Sequence, residues 1–142
     1  TLGLARLHKK CRRVRLHLEE SGPLDGAVVA MSPRHLEQIV LNLIINAADA
    51  TANQGAVTVQ VRVEDGAVIL SVRDDGAGVA AAIEARLFEP FFTTKADGVG
   101  SGLGLAVSRR LAQAAGGTLR LAETSPAGSR FVLRLPAALE AA

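Results

Sequence analysis

Residues 57–78 read VTVQVRVEDGAVILSVRDDGAG, and this stretch decides the fold class. Apolar and polar residues alternate strictly from Val57 to Val63, the period of a half-buried strand, and Val68 to Val72, apolar but for Ser71, reads as a second strand. Asp65-Gly66 between them is a strong two-residue hairpin signal. The second strand runs into Asp74-Asp-Gly76-Ala-Gly78, where two glycines allow a tight turn and a close approach of backbone to something bound.

Working outward, Ser32 offers a helix N-cap and Pro33 occupies the first helical position, where a missing N–H costs nothing. The helix runs to about Ala52 and stops near Asn53-Gln54-Gly55. Leu36, Ile39, Val40, Leu43, Ala47 and Ala50 recur at helical spacing and should face the core. His35, Gln38, Asn42, Asn46 and Asp49 make a second, polar stripe. Asn is a poor helix former and solvent faces favour Glu, Lys or Arg, so the two amides inside LNLIINAA point to function. Further elements follow the same logic: an opening helix with Leu2, Leu4 and Leu7, ending before Arg12; strands over Arg13 to Leu18 and Ala27 to Met31; and a short helix over Ile83 to Leu87. A helix over Leu105 to Ala115 and strands over Thr118 to Glu123 and Arg130 to Leu135 come last, the strands joined by a loop over 124–128. The order implies an α+β fold, a two-layer sandwich of mixed, largely antiparallel sheet covered on one face by about three helices.

The chain has 142 residues, 49 % of them apolar and 21 % charged, enough for one core and too apolar for disorder. No apolar run reaches the ~20 residues of a membrane helix. One cysteine, Cys11, rules out both an internal disulfide and a cysteine zinc site. Aromatics are 3 %, with no Tyr or Trp, which argues against single-stranded nucleic acid as partner. Six of the 16 basic residues fall in the first fifteen positions, leaving ten basic against fourteen acidic residues beyond them. That leading charge reads as the solvated face of a connector, residues 1–12, ahead of a domain over 13–136 and a tail over 137–142.

No nucleophile elbow is present. Gly98-Val-Gly100-Ser-Gly102-Leu103-Gly104-Leu105 lacks the ending of a P-loop, yet glycines that feed a helix N-terminus offer free N–H groups and a positive dipole end to phosphate. The seventeen residues from Phe88 to Gly104 lack periodicity, as functional or disordered loops do.

These signals coincide in one pattern. Asn42-Leu-Ile-Ile-Asn46-Ala47 resembles the N box of sensor histidine kinases, and Asp74-Asp-Gly76-Ala-Gly78 their D-x-G-x-G box. Leu87-Phe-Glu-Pro-Phe-Phe-Thr-Thr-Lys95 is similar to the F box, Gly100-Ser-Gly102-Leu-Gly104-Leu105 to the second glycine box, and Gly128-Ser129-Arg-Phe131 to the last. The resemblance is to their catalytic ATP-binding domain, in the superfamily that includes the DNA gyrase B subunit, the mismatch-repair MutL proteins and the large heat-shock ATPase chaperones.

The resemblance implies a Bergerat-type site for ATP and Mg²⁺. Asp74 would accept a hydrogen bond from the adenine amino group, with Gly76 and Gly78 letting backbone pass close to the base. Asn46 would give its oxygen to Mg²⁺ and Asn42 would approach the phosphates. Residues 88 to 104 would be a lid anchored by Phe88 and Phe91, with Thr94 and Lys95 at the γ-phosphate. Gly100, Gly102, Leu103, Gly104 and Leu105 would bind phosphate oxygens, and Ser129 could add a hydroxyl. Related hydrolases carry a Glu at position 42 as base for water; the amide of Asn42 cannot take a proton, which favours phosphoryl transfer.

Two departures stand out. Asp49 occupies a place where many members have a phosphate-meeting Lys, and none of His8, His17 and His35 is followed by the Glu or Asp that flanks a phosphorylated His. The acceptor His is therefore expected on a separate dimerisation domain, of this protein or a partner chain. The expected protein is a two-component histidine kinase, homodimeric as a whole with this piece monomeric, serving a response regulator and working in the cytoplasm with or without a membrane anchor. An anti-sigma-factor-type serine kinase and a degenerate nucleotide-binding scaffold remain as alternatives.

Overall fold

A computed structural model describes residues 15–21, 27–51, 55–90 and 104–139. Its elements in chain order are β1 (Arg15–Ser21), β2 (Ala27–Val29), α1 (Pro33–Ala50), β3 (Ala56–Glu64), β4 (Ala67–Asp74), α2 (Ala81–Glu84), α3 (Gly104–Ala114), β5 (Thr118–Ser125) and β6 (Gly128–Leu139). The opening helix expected before Arg12 lies outside the described residues.

The hairpin forms as its sequence demands. Val57 pairs with Asp74 and Glu64 with Ala67, and Asp65 and Gly66 both adopt positive φ, 50° and 71°, as a type I′ turn requires. From this hairpin the sheet grows both ways. β1 joins β3 in parallel, and β6 joins β4 antiparallel, with Asp74 opposite Ser129. β5 folds back on β6, and β2 pairs with Ala137 to Leu139 at the far end of β6. The strand thus continues three residues beyond the boundary expected for a C-terminal tail, because β2 supplies partners for its backbone. The five-residue loop expected between β5 and β6 shrinks to Pro126 and Ala127, since the ladder continues to Ser125 opposite Gly128.

Ser32 caps α1, its hydroxyl accepting from the Arg34 N–H at 3.2 Å, with Pro33 at the first position. Ile39, Leu43 and Ala47 are buried as expected, and Ile44, Ile45 and Ala48 join them. Ala50 is exposed at the helix end instead of facing the core. The buried arc is wider than one stripe because α1 is covered by the sheet on one side and α3 on another. Its side chains meet Val57, Val59, Leu70, Val72, Leu119, Phe131, Leu133 and Leu135 in one core, each full burial of a Leu or Ile contributing about 2 kcal/mol. Covering falls to α1 and α3; α2 has four residues, none buried, and starts two residues before the expected Ile83. The opposite sheet face carries Arg73 and Arg130, both paired with Glu123.

Candidate functional site

Asp74 is the last residue of β4, and the pleat turns its side chain to the helix-covered face together with Leu70 and Val72. It is 4 % exposed. Burial pushes its carboxyl above the usual carboxylate range, against the opposing pull of the Gly76 and Ser129 backbone N–H groups; neighbouring Asp75 adds to the rise. The Gly76 N–H donates to Oδ1 at 2.9 Å. A buried carboxylate with so few donors has acceptor capacity left for a ligand N–H.

The two box glycines are required by the protein's own backbone. A Cβ on Gly76 would collide with the Ala50 carbonyl at the end of α1, and one on Gly78, at φ 83°, with the Ser125 carbonyl of β5. The close approach expected toward something bound is thus made to α1 and β5. Two side chains that the motif does not mark complete the turn. Asp75 Oδ1 accepts from the Ala56 N–H at 3.0 Å, tying the turn to the start of β3. Thr124 Oγ1 accepts from the Val79 N–H at 2.8 Å and lies 2.9 Å from Ser129 Oγ. The hydroxyl of Ser129, expected at phosphate, is committed here beside Asp74, where the residue is 5 % exposed.

On α1, His35 and Gln38 are exposed, while Asn42, Asn46 and Asp49 are half-buried. The stripe is therefore drawn into the fold only in its second half, where the helix passes under α3. Asn42 does not stand free toward a phosphate. Its Nδ2 donates to Ser108 Oγ at 3.1 Å and reaches the Gly104 carbonyl at 3.4 Å, joining α1 to the first turn of α3. Asn46 makes no side-chain hydrogen bond to another described residue. Its half-buried amide, one turn beyond Asn42, offers an oxygen of the hard kind that Mg²⁺ takes. Among the described residues no cluster of His, Cys, Asp or Glu could hold a metal by itself, so an ion here would take its remaining ligands from phosphate and water.

Gly104 and Leu105 open α3 at the Asn42 end. Phe88 sits edge-on to Phe131, with ring centroids 6.4 Å apart, and under the Arg109 guanidinium at 4.6 Å. These contacts anchor the chain where the expected lid begins. Phe91, Thr94, Lys95, Gly100, Gly102 and Leu103 lie outside the described residues. A cleft of about 380 Å³ between Thr58, Arg73, Glu123 and Arg130 extends to Asp74, Thr124 and Ser129; there the Arg130 guanidinium, seconded by Arg73, holds the Glu123 carboxyl below its ordinary value.

Asp75, Thr124 and Ser108 escaped the motif reading. Asp75 and Thr124 have only local turn chemistry to mark them. Ser108 left a clearer signal, a lone hydroxyl among Leu105, Leu111, Ala112 and Ala115 at helical spacing.

The family described as histidine kinase-, DNA gyrase B- and HSP90-like ATPase matches residues 31–139. The two-component sensor PprA of Pseudomonas aeruginosa is 42 % identical over 99 % of this chain and 16 % of its own length. The C4-dicarboxylate transport sensor protein DctB of Rhizobium meliloti is 39 % identical over 80 % of this chain and 18 % of its own. Among solved structures, full-length ShkA in complex with AMPPNP has a TM-score of 0.80 at 35 % identity, over 99 % of this chain and 29 % of that one. The mycobacterial sensor histidine kinase MprB has a TM-score of 0.78 at 26 % identity, over 97 % and 91 %. The chain spans less than a fifth of the length of these two curated relatives.

Proposed function

This chain belongs to the histidine kinase-, DNA gyrase B- and HSP90-like ATPase family and is a catalytic domain of the sensor histidine kinase kind; from that premise we propose that it holds Mg-ATP between α1, Asp74 and the N-terminus of α3 and presents the γ-phosphoryl group to a histidine on a dimerisation domain. The observation that carries this is the buried Asp74 carboxylate, held by the Gly76 N–H with acceptor capacity to spare. The adenine amino group donates to it, and a carboxylate, having no proton to give, discriminates an amino group from a carbonyl. The amide of Asn46, which has no side-chain hydrogen bond among the described residues, would give its oxygen to Mg²⁺, which when bound neutralises phosphate charge. Gly104 and Leu105 turn the positive end of α3 to the phosphate oxygens, with Gly100, Gly102 and Leu103 continuing that run. Thr94 and Lys95 stabilise charge at the γ-phosphate.

Position 42 shapes the outcome. Its amide is spent on α3 and cannot act as a base toward water, so bound ATP waits for a better acceptor. Catalysis is then mostly positioning and charge stabilisation. Residues 1–12 act as connector to the dimerisation domain, and a response regulator receives the phosphoryl group in turn.

Titration of the chain with ATP, with and without Mg²⁺, tests the binding half. The transfer half is tested by labelling the full-length protein from γ-labelled ATP. A phosphoramidate, stable to base and lost in acid, is expected. No Mg-dependent binding, or a base-labile label, overturns the reading.

A further inference from the structure

We propose that Ser108 is a positioning residue for the triphosphate: through Asn42 it holds the N-terminus of α3 in register with the Asn46 turn of α1. This rests on the reading of Asn46 and Gly104 as phosphate-end residues.

Asn42 faces Gly104 and Ser108 across the two helices. Asn42 and Asn46 are one turn apart on α1; Gly104 and Ser108 are one turn apart on α3. The single Nδ2 of Asn42 spans the second pair, at 3.1 Å from Ser108 Oγ and 3.4 Å from the Gly104 carbonyl. Asn46 stays out of the network, so one amide locates α3 while the next remains available.

Ser108 is fully buried, 0 % exposed. An alanine would fill that place without a polar group to satisfy, and a buried hydroxyl is tolerated only with a partner. The rest of the face α3 turns inward is apolar, with Leu105, Leu111, Ala112 and Ala115 packed on the core. Apolar contacts set the distance between helices but tolerate small slides and rotations, because they lack direction. The hydrogen bond has direction. It fixes the axial register of α3, and with it the aim of the N–H groups that leave Gly104 toward phosphate. A phosphate-end register of this kind leaves the adenine end, built on Asp74, untouched.

The test uses the purified chain titrated with Mg-ATP and, separately, with adenosine. The wild type is expected to prefer Mg-ATP. Ser108→Ala should lower Mg-ATP affinity roughly three- to ten-fold, the worth of one part-buried hydrogen bond. Its adenosine affinity should move less than about two-fold, a split that general loosening of the fold would not produce. In an Asn42→Ala background the same change should add nothing, since Ser108 acts through that amide. The Asn42 side-chain amide protons of the wild type should exchange more slowly than those of Asn46, a comparison that needs no variant to fold. Equal exchange at the two amides, an unchanged Mg-ATP preference in Ser108→Ala, or an undiminished effect without Asn42 overturns the inference. A wild type that binds adenosine and Mg-ATP equally overturns the phosphate-end reading beneath it.

Discussion

Replacing Asp74 by Asn separates ligand recognition from folding at one atom. In the fold, Asn can keep the contact to Gly76, its Oδ1 accepting the N–H that now lies 2.9 Å from the carboxylate. The remaining atom changes from acceptor to Nδ2 donor, and under the proposed function it would face the adenine amino group. The loss comprises a hydrogen bond to a charged acceptor, ~2 kcal/mol, and a donor left against a donor, ~1 kcal/mol. Together these predict a drop in ATP affinity of about 150-fold. Stability should move the other way. Burial raises the Asp74 pKa above its model-peptide value of 3.8. The carboxyl therefore contributes stability below 3.8, where it is protonated in both states, and loses it as pH rises through the higher folded value. At pH 7 the ionised group is a burden that Asn removes, so the variant should be as stable as the wild type or slightly more. That advantage should vanish on acidification below 3.8. Calorimetric titration with ATP at neutral pH, beside thermal unfolding across the acid range, gives both readings. Refutation would be ATP affinity within about three-fold of wild type, or a variant destabilised at pH 7 by more than about 2 kcal/mol, because weak binding would then report unfolding.

Three more perturbations probe separate parts. Asn46→Ala, half-buried and without a side-chain bond among the described residues, should unfold within about 0.5 kcal/mol of wild type, yet lose the added thermal stability that Mg-ATP gives; retained stabilisation contradicts the metal role. Gly76→Ala drives a Cβ into the Ala50 carbonyl and should cost about 2 kcal/mol or more by denaturant titration, as overpacking does. Thr124→Val strands the Val79 N–H and removes the partner of Ser129 Oγ; a loss of about 1–2 kcal/mol is expected in urea unfolding, and an unchanged midpoint refutes the turn network.

Much of the fold was legible because its signals are local. Alternation in residues 57–63 and the short apolar run in 68–72 specified strands, Asp65-Gly66 specified the turn between them, and Ser32-Pro33 specified where α1 starts. Asn46, Asp74 and Gly104 were marked through the resemblance of their motifs to those of sensor histidine kinases, and their chemistry agrees, since a carboxylate, an amide oxygen and a bare helix end each suit one part of a nucleotide. Tail and loop boundaries were misplaced where a distant strand decided them: β6 extends to Leu139 only because β2 lies beside its end.

Sequence by itself determined which groups this protein has to offer, because hydrogen-bonding capacity and helix or strand period belong to residues and their near neighbours. Tertiary structure alone decided where those groups are spent. In the fold the Asn42 amide donates to Ser108, the Ser129 hydroxyl lies against Thr124, and Gly76 makes room for the Ala50 carbonyl. Each of these partners lies far along the chain or on another element, and directional bonds between buried groups are settled by how helices and strands stack, which no short-range pattern records.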